Sequence, residues 1–244
     1  MHMPNTSGQP HEHIVKSHDE EQRRLMGEIL RMGEMAAAQL EAALDVVQRR
    51  DDKAAERIIA NDEAIDTLEQ DISHDVMRLA LRGPMARDLR EILAALRITA
   101  GIERIGDYAA NVAKRSIVLA QFTTPYSLAG LAHMARLVQG QLKSIIDAIG
   151  DNDADKAMEV WRSDQVVDDI YNALFRELIT YMMEDPRNIT PCTHLLFIAK
   201  NLERIGDHAT NVAENLYYAV KGESLPETRP KGDTSAYAVV RPRE

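Results

Sequence analysis

The string ERIGDYAANVA at 103–113 returns as ERIGDHATNVA at 203–213, identical at nine of eleven positions and a hundred residues further on. A match of this length requires a duplicated unit, in which each copy presents the same side chains on the same face of the same element. The chain has 244 residues, enough for two small units that each bury a core without disulfides.

The residues around the repeat are those of helices. Ala, Leu, Ile, Met, Glu, Arg and Asp dominate and aromatics make up only 5% of the chain, so helix-forming chemistry outweighs strand-forming chemistry. After a polar start, apolar residues recur at three-and-four spacing through Leu25, Ile29, Met32, Ala36, Leu40, Ala43 and Val47, one face of a first helix. Asp51 and Asp52 supply an N-cap for a second, which runs through Ile58, Ile65, Leu68, Ile72, Val76 and Leu79 until Gly83 and Pro84 stop it. A third, from about 85 to 121, carries Leu89, Leu93, Leu96 and Ala100 on one side and Ile98, Ile102, Ile105, Ala109 and Val112 on the other. Apolar residues on both sides predict a helix sandwiched between neighbours.

Beyond Pro125 the scheme restarts. A fourth helix follows Leu128, Leu131, Ala135, Val138, Leu142, Ile145 and Ile149, and a fifth runs from about 153 to 183, ending before Pro186. Thr190 and Pro191 read as the N-cap and first position of a sixth. The expectation is an all-α fold of six long helices in two sets of three, over 19–122 and 123–221, between flexible ends at 1–18 and 222–244. His2, His11, His13 and His18 lie in that N-terminal end and read as solvated histidines.

Helical rotation puts Glu103 and Asp107 one turn apart, on the face that continues the Leu89 to Ala100 stripe; Glu203 and Asp207 follow Leu196 and Ala199 in the same way. Carboxylates that interrupt an apolar stripe need a positive partner, because burying them unpaired is costly. The second and fifth helices carry acids at the same spacing, Asp62 with Asp66 and Asp164 with Asp168. Packing that sets these pairs face to face would gather four carboxylates in each half, an oxygen-rich nest suited to iron, manganese, magnesium or calcium rather than to thiolate-seeking ions. The competing partners are Arg90, Arg97, Arg104 and Arg204 in a solvated network of helix ion pairs. Gly106 and Gly206, each costing about 1 kcal/mol in a helix interior, suggest close approach of a neighbouring helix backbone. His208 is an added ligand candidate in the second half only, since Tyr108 holds its place in the first.

Other classes lack residues. A formal charge of −10 opposes binding to nucleic acid. The single cysteine, Cys192, allows neither an internal disulfide nor a multi-cysteine metal site. No stretch approaches the ~18 uninterrupted apolar residues of a membrane span and the N-terminus has no signal-peptide core, so the expectation is a soluble, cytoplasmic protein that meets membranes only through other proteins. Gly-rich phosphate loops, paired Cys and His, and nucleophile elbows are missing from the sequence. A carboxylate-bridged dimetal oxidase would use Glu-x-x-His pairs, of which Asp71 with His74 is the nearest imitation. A metal-free helical adaptor is the remaining alternative.

The strings LRGPMARDLREILAALRITAGIERIGDYAANVAKR and HLLFIAKNLERIGDHATNVAENLYY resemble the third and sixth helices of the PhoU family of phosphate-uptake regulators. NDEAIDTLEQDI and SDQVVDDIYNAL are similar to its second and fifth, and the likeness extends from about His13 to Gly222. The resemblance implies a cytoplasmic, non-enzymatic protein of two tandem antiparallel three-helix bundles, often a homodimer. It implies a negative regulator of phosphate-starvation signalling whose partners are the ATPase subunit of the phosphate ABC transporter and a membrane sensor histidine kinase. Manganese and magnesium remain options from the oxygen-rich nest itself; the resemblance implies multinuclear metal clusters, iron or zinc among the ions, at E/D-x-x-x-D motifs. By position these are Asp62 with Asp66 and Glu103 with Asp107, then Asp164 with Asp168 and Glu203 with Asp207. Two of the four begin with Asp rather than Glu, which shortens their reach.

Overall fold

A computed structural model describes residues 10–122, 128–225 and 232–238. It contains six long helices: α1 Pro10–Arg49, α2 Asp52–Ala80, α3 Ala86–Leu119, α4 Ala129–Asp151, α5 Ala154–Glu184 and α6 Ile189–Lys221. Short 3-10 turns span Pro186–Asn188 and Ser235–Tyr237, and no strand occurs among the described residues. The fold is all-α, as composition and periodicity predict.

Local chemistry sets several of the boundaries. Asp51 caps α2 by accepting from the Ala54 amide at 3.0 Å, and Asp153 caps α5 by accepting from the amides of Asp155 and Lys156 at 2.9 and 3.1 Å. These caps satisfy donors that the first helical turn leaves open. Chain reversal after α4 falls on Asn152 with φ 52°, one of the few non-glycine residues that tolerate the left-handed region.

Helices α1 to α3 and α4 to α6 pack as two three-helix sets, and α3 runs along α6 to join them. One buried cluster spans both sets, from Ile29, Leu40, Ile65 and Ile98 in the first to Leu142, Val167, Ile198 and Ile205 in the second. Along the α3–α6 seam Gly101 lies against Val212 and the backbone oxygen of His208. At ~1.5 Å per residue α3 is roughly 50 Å long, so the joined bundles are elongated.

Several expectations are corrected. Residues 10–18, read as part of a flexible N-terminus, belong to α1, which carries His11, His13 and His18. Helix α6 begins at Ile189, so Thr190 and Pro191 sit inside its first turn, and a 3-10 turn capped by Asp185 leads into it. Helix α3 is buried through Ile92, Ala95, Ile98, Ile102 and Ile105, but Leu89 and Leu93 are 38% and 50% exposed. The sandwich is therefore incomplete at the N-terminal end of α3, and the acids that continue that stripe lie on a half-buried rim. Residues 232–238, read as part of a flexible tail, lie against α5 through hydrogen bonds to Asp168 and Asn172 and against α6 through Lys200, which donates to Asp233. Pro125 and His2 fall outside the described residues.

Candidate functional site

In the first bundle α2 and α3 bring Asp66, Glu103 and Asp107 together, with a carboxylate oxygen from each lying within 4.8 Å of the others. Oxygens on opposite sides of a cation bound at about 2.0–2.4 Å are separated by no more than this. The donor set is all oxygen and drawn from two helices, so it fits a hard divalent ion.

The fourth acid of that half is drawn elsewhere. Asp62 accepts from Gln39 Nε2 at 2.6 Å, and the same nitrogen donates to the Gly106 carbonyl at 3.0 Å. The spacing predicts four converging carboxylates in this half; three converge, and the fourth, Asp62, takes an amide from α1 on Oδ1 instead. Gly106 makes room for this arrangement. A Cβ there would lie 3.0 Å from Ile65 Cδ1 and 3.5 Å from Asp62 Oδ1. The close approach predicted from the glycines is real, but the approaching atoms belong to side chains rather than to a helix backbone.

Electrostatics in this half are those of crowded anions. Burial raises Glu103, and the neighbouring Asp107 adds to it against the lowering effect of Arg104. Asp66 is raised by burial and then by Asp107, Glu63 and Glu69. Asp62 is raised by burial, opposed by its bond from Gln39. Arg104 supplies part of the positive partner, with Nη1 3.1 Å from Asp107 and Nε 3.5 Å from Glu103. The competing ion-pair reading is thus partly realised at Arg104, whereas Arg90 donates instead to the Ala219 carbonyl.

The second bundle repeats the residues and not the geometry. Asp164, Asp168 and Glu203 are 3%, 4% and 4% exposed, and each is engaged by a different neighbour. Asp164 accepts from the Thr210 hydroxyl at 3.2 Å. Asp168 accepts from the Gly232 amide at 2.8 Å. Glu203 lies 2.8 Å from Lys200 Nζ and 3.9 Å from Arg204 Nε. Asp207 is half-buried and close enough to Glu203 to raise it. Among the described residues this set forms no converging three-carboxylate group like that of the first half. The Glu103 side chain keeps 24% exposure against 5% for Glu203, so the first set is open and the second closed.

Two other sequence expectations change. His208 stacks on Tyr108 across the α3–α6 seam, ring centroids 5.6 Å apart, and joins no metal-binding group among the described residues. Asp71 and His74 are exposed on α2, away from any bundle interior where an oxidase centre would sit.

Sequence reading missed Gln39 and Gln141. Both are buried, and Gln141 faces Gly206 as Gln39 faces Gly106. Gln141 donates to Ser163 at 2.9 Å. A signal was present, because the two glutamines are separated by the same interval as Asp62 and Asp164, and each precedes a stripe leucine, Leu40 or Leu142.

Comparison with known proteins accounts for the doubling. The PhoU domain signature matches this chain twice, at residues 29–116 and 131–216. A phosphate-specific transport system accessory protein PhoU homolog from Xylella fastidiosa is 62% identical over 92% of this chain and 95% of its own length. A protein of the same name from Caulobacter vibrioides is 49% identical over 91% and 97%. The crystal structure of PhoU from Pseudomonas aeruginosa superposes with a TM-score of 0.81 at 35% identity, covering 84% of this chain and 99% of that one. The phosphate transport system regulatory protein PhoU from Streptococcus pneumoniae gives 0.79 at 29% identity, over 86% and 100%. With both halves matched in order and a shared fold along nearly the whole length, the chain belongs to the PhoU family, a family of accessory and regulatory proteins rather than enzymes.

Proposed function

We propose that this protein is a negative regulator of phosphate uptake and of phosphate-starvation signalling. It acts by protein contacts with the ATPase subunit of the phosphate ABC transporter and with a sensor histidine kinase, as a cytoplasmic homodimer. The relatives' names support the transport-system role. No described helix is long and apolar enough to cross a membrane, which is consistent with reaching membranes through partners.

A divalent or trivalent ion, drawn from iron, zinc, manganese and magnesium, is bound in this reading by Asp66, Glu103 and Asp107, with Asp62 as an outer member. Asp164, Asp168, Glu203 and Asp207 form the counterpart set. The convergence of three carboxylates carries the metal assignment. When bound, the ion supplies positive charge that relieves the repulsion among the acids. The chain's own residues do the rest: α2 and α3 hold the oxygens in register, and Arg104 braces Glu103 and Asp107 from the solvent side.

A metal-free adaptor is the second reading, favoured by the Arg104 and Lys200 ion pairs that already neutralise part of each set. Elemental analysis of protein purified without chelator separates the two. The regulatory role is tested by deleting the gene: phosphate-starvation genes are expected to be expressed while phosphate is abundant. Continued repression would count against the assigned pathway.

A further inference from the structure

Residues 232–238 lie on the second carboxylate set. Asn172 of α5 grips the segment from both sides, donating through Nδ2 to the Gly232 carbonyl at 2.7 Å and accepting on Oδ1 from the Thr234 amide at 3.0 Å. The Thr234 hydroxyl donates to the same oxygen at 3.3 Å. Between these contacts the Gly232 amide reaches Asp168 Oδ2 at 2.8 Å. Asp233 takes Lys200 Nζ at 2.7 Å, and that ammonium also lies 2.8 Å from Glu203 and 4.8 Å from the centre of the Tyr171 ring.

The fit is specific to this half of the molecule. A Cβ on Gly232 would lie 3.0 Å from Asp168 Cβ and 2.3 Å from Gln165 Nε2, so any larger residue would have to push the Gln165 amide aside and crowd Asp168. Lys200 has no counterpart in α3, where Ala100 holds the equivalent place, and Asn172 is matched in α2 by Gln70. Among the described residues the first set therefore lacks the equivalents of both Lys200 and the Asn172 clamp.

We propose that residues 232–238 form an autoinhibitory strap over the second carboxylate set, and that strap docking and cation binding there exclude one another. The inference rests on the reading of these acids as metal ligands. With the strap down, one oxygen of Asp168 is committed to a backbone amide, and Glu203 faces an ammonium that already supplies the positive charge. A cation entering the set has to displace Lys200 from Glu203 and the Gly232 amide from Asp168. Lys200 is the hinge of the exclusion, since it links Asp233 of the strap to Glu203 of the set. By reciprocal linkage, whatever loosens the strap tightens cation binding by the same factor, and a bound cation releases the strap. The two halves of a duplicated protein thereby become unequal: one open set, and one that exchanges an internal segment for an ion.

The test uses the full chain with Glu103→Gln and Asp107→Asn, so that Mn²⁺ reports on the second set alone. Adding Asn172→Ala with Asp233→Ala is expected to tighten Mn²⁺ binding at least tenfold, read by the free-ion electron paramagnetic resonance signal. In the chain with an intact strap, saturating Mn²⁺ is expected to speed amide exchange at 232–238 by a similar factor. Asp233→Ala alone, which leaves α5 untouched, should move both readouts in the same direction. Unchanged exchange on Mn²⁺ binding overturns the proposal, as does equal affinity with and without the clamp. Mn²⁺ held by the parent chain but never by the second set, even with the clamp removed, also overturns the strap and leaves the first site standing. No Mn²⁺ bound by the parent chain removes the metal reading itself, and the strap falls with it.

Discussion

Gln39 on α1 donates to Asp62 on α2 at 2.6 Å and, through the same nitrogen, to the carbonyl of Gly106 on α3 at 3.0 Å. One buried amide therefore ties all three helices of the first bundle together beside the carboxylate set. It engages Oδ1 of Asp62, the acid that lies outside the three-carboxylate group.

Replacing Gln39 with Leu removes that donor while keeping the volume apolar. Asp62 and the Gly106 carbonyl then lose a partner at a half-buried position, and the expected loss is about 1–3 kcal/mol. Chemical denaturation of wild type and Gln39→Leu measures it. A difference under about 0.5 kcal/mol would show that water replaces the amide without cost.

Glu103→Gln with Asp107→Asn removes two of the three converging carboxylates and leaves the helix surfaces nearly isosteric. Bound metal is expected to fall at the first set, while far-ultraviolet circular dichroism stays that of the parent. The metal-free variant should be no less stable than the metal-free parent, because like charges at one-turn spacing repel. Metal content equal to that of the parent would return these acids to ion-pair duty with Arg104.

Glu203 is pushed up to about 7 from an ordinary glutamate value of 4.5, by burial first and by Asp207, against the lowering effect of Lys200. A carboxyl whose folded-state value exceeds its unfolded value binds its proton more tightly in the fold. Its contribution to stability is fully present below about 4.5 and is lost as pH rises through about 7. In chelator, the melting temperature of the parent should fall relative to Glu203→Gln across that window. Parallel curves for the two proteins would mean that Glu203 ionises in the fold at no penalty.

Gly101→Ala tests the seam between the bundles. Helix propensity favours alanine by about 1 kcal/mol, but a Cβ at 101 would lie 2.7 Å from Val212 Cγ2. Overpacking of this kind costs about 1–3 kcal/mol, so a net loss is expected, and Val212→Ala in the same chain should recover part of it. A double-mutant cycle on thermal stability supplies the coupling. Additive effects would mean that α3 and α6 move apart freely at this point.

The helices, their duplication and the caps of α2 and α5 follow from local chemistry that a sequence displays. Three-and-four spacing selects Ile29, Ile65 and Ile205 for the core, and Asp51 and Asp153 cap helices through amides two or three residues away. One-turn spacing likewise places Glu103 beside Asp107 without any knowledge of the neighbours. The start of α6 differs from the sequence expectation because the 3-10 turn at Pro186–Asn188 overrides the local signal of Thr190 and Pro191.

What the sequence could not decide is how two nearly identical acid patterns diverge. That depends on groups distant along the chain: Gln39 withdrawing Asp62, Lys200 facing Glu203, and Gly232 reaching Asp168 from beyond the last long helix. Periodicity records which side chains share a helix face, whereas the partner of a buried carboxylate is chosen by packing between segments that have no fixed interval. The duplicated residues determined that there would be two sets, and tertiary contacts determined that one is open and the other closed.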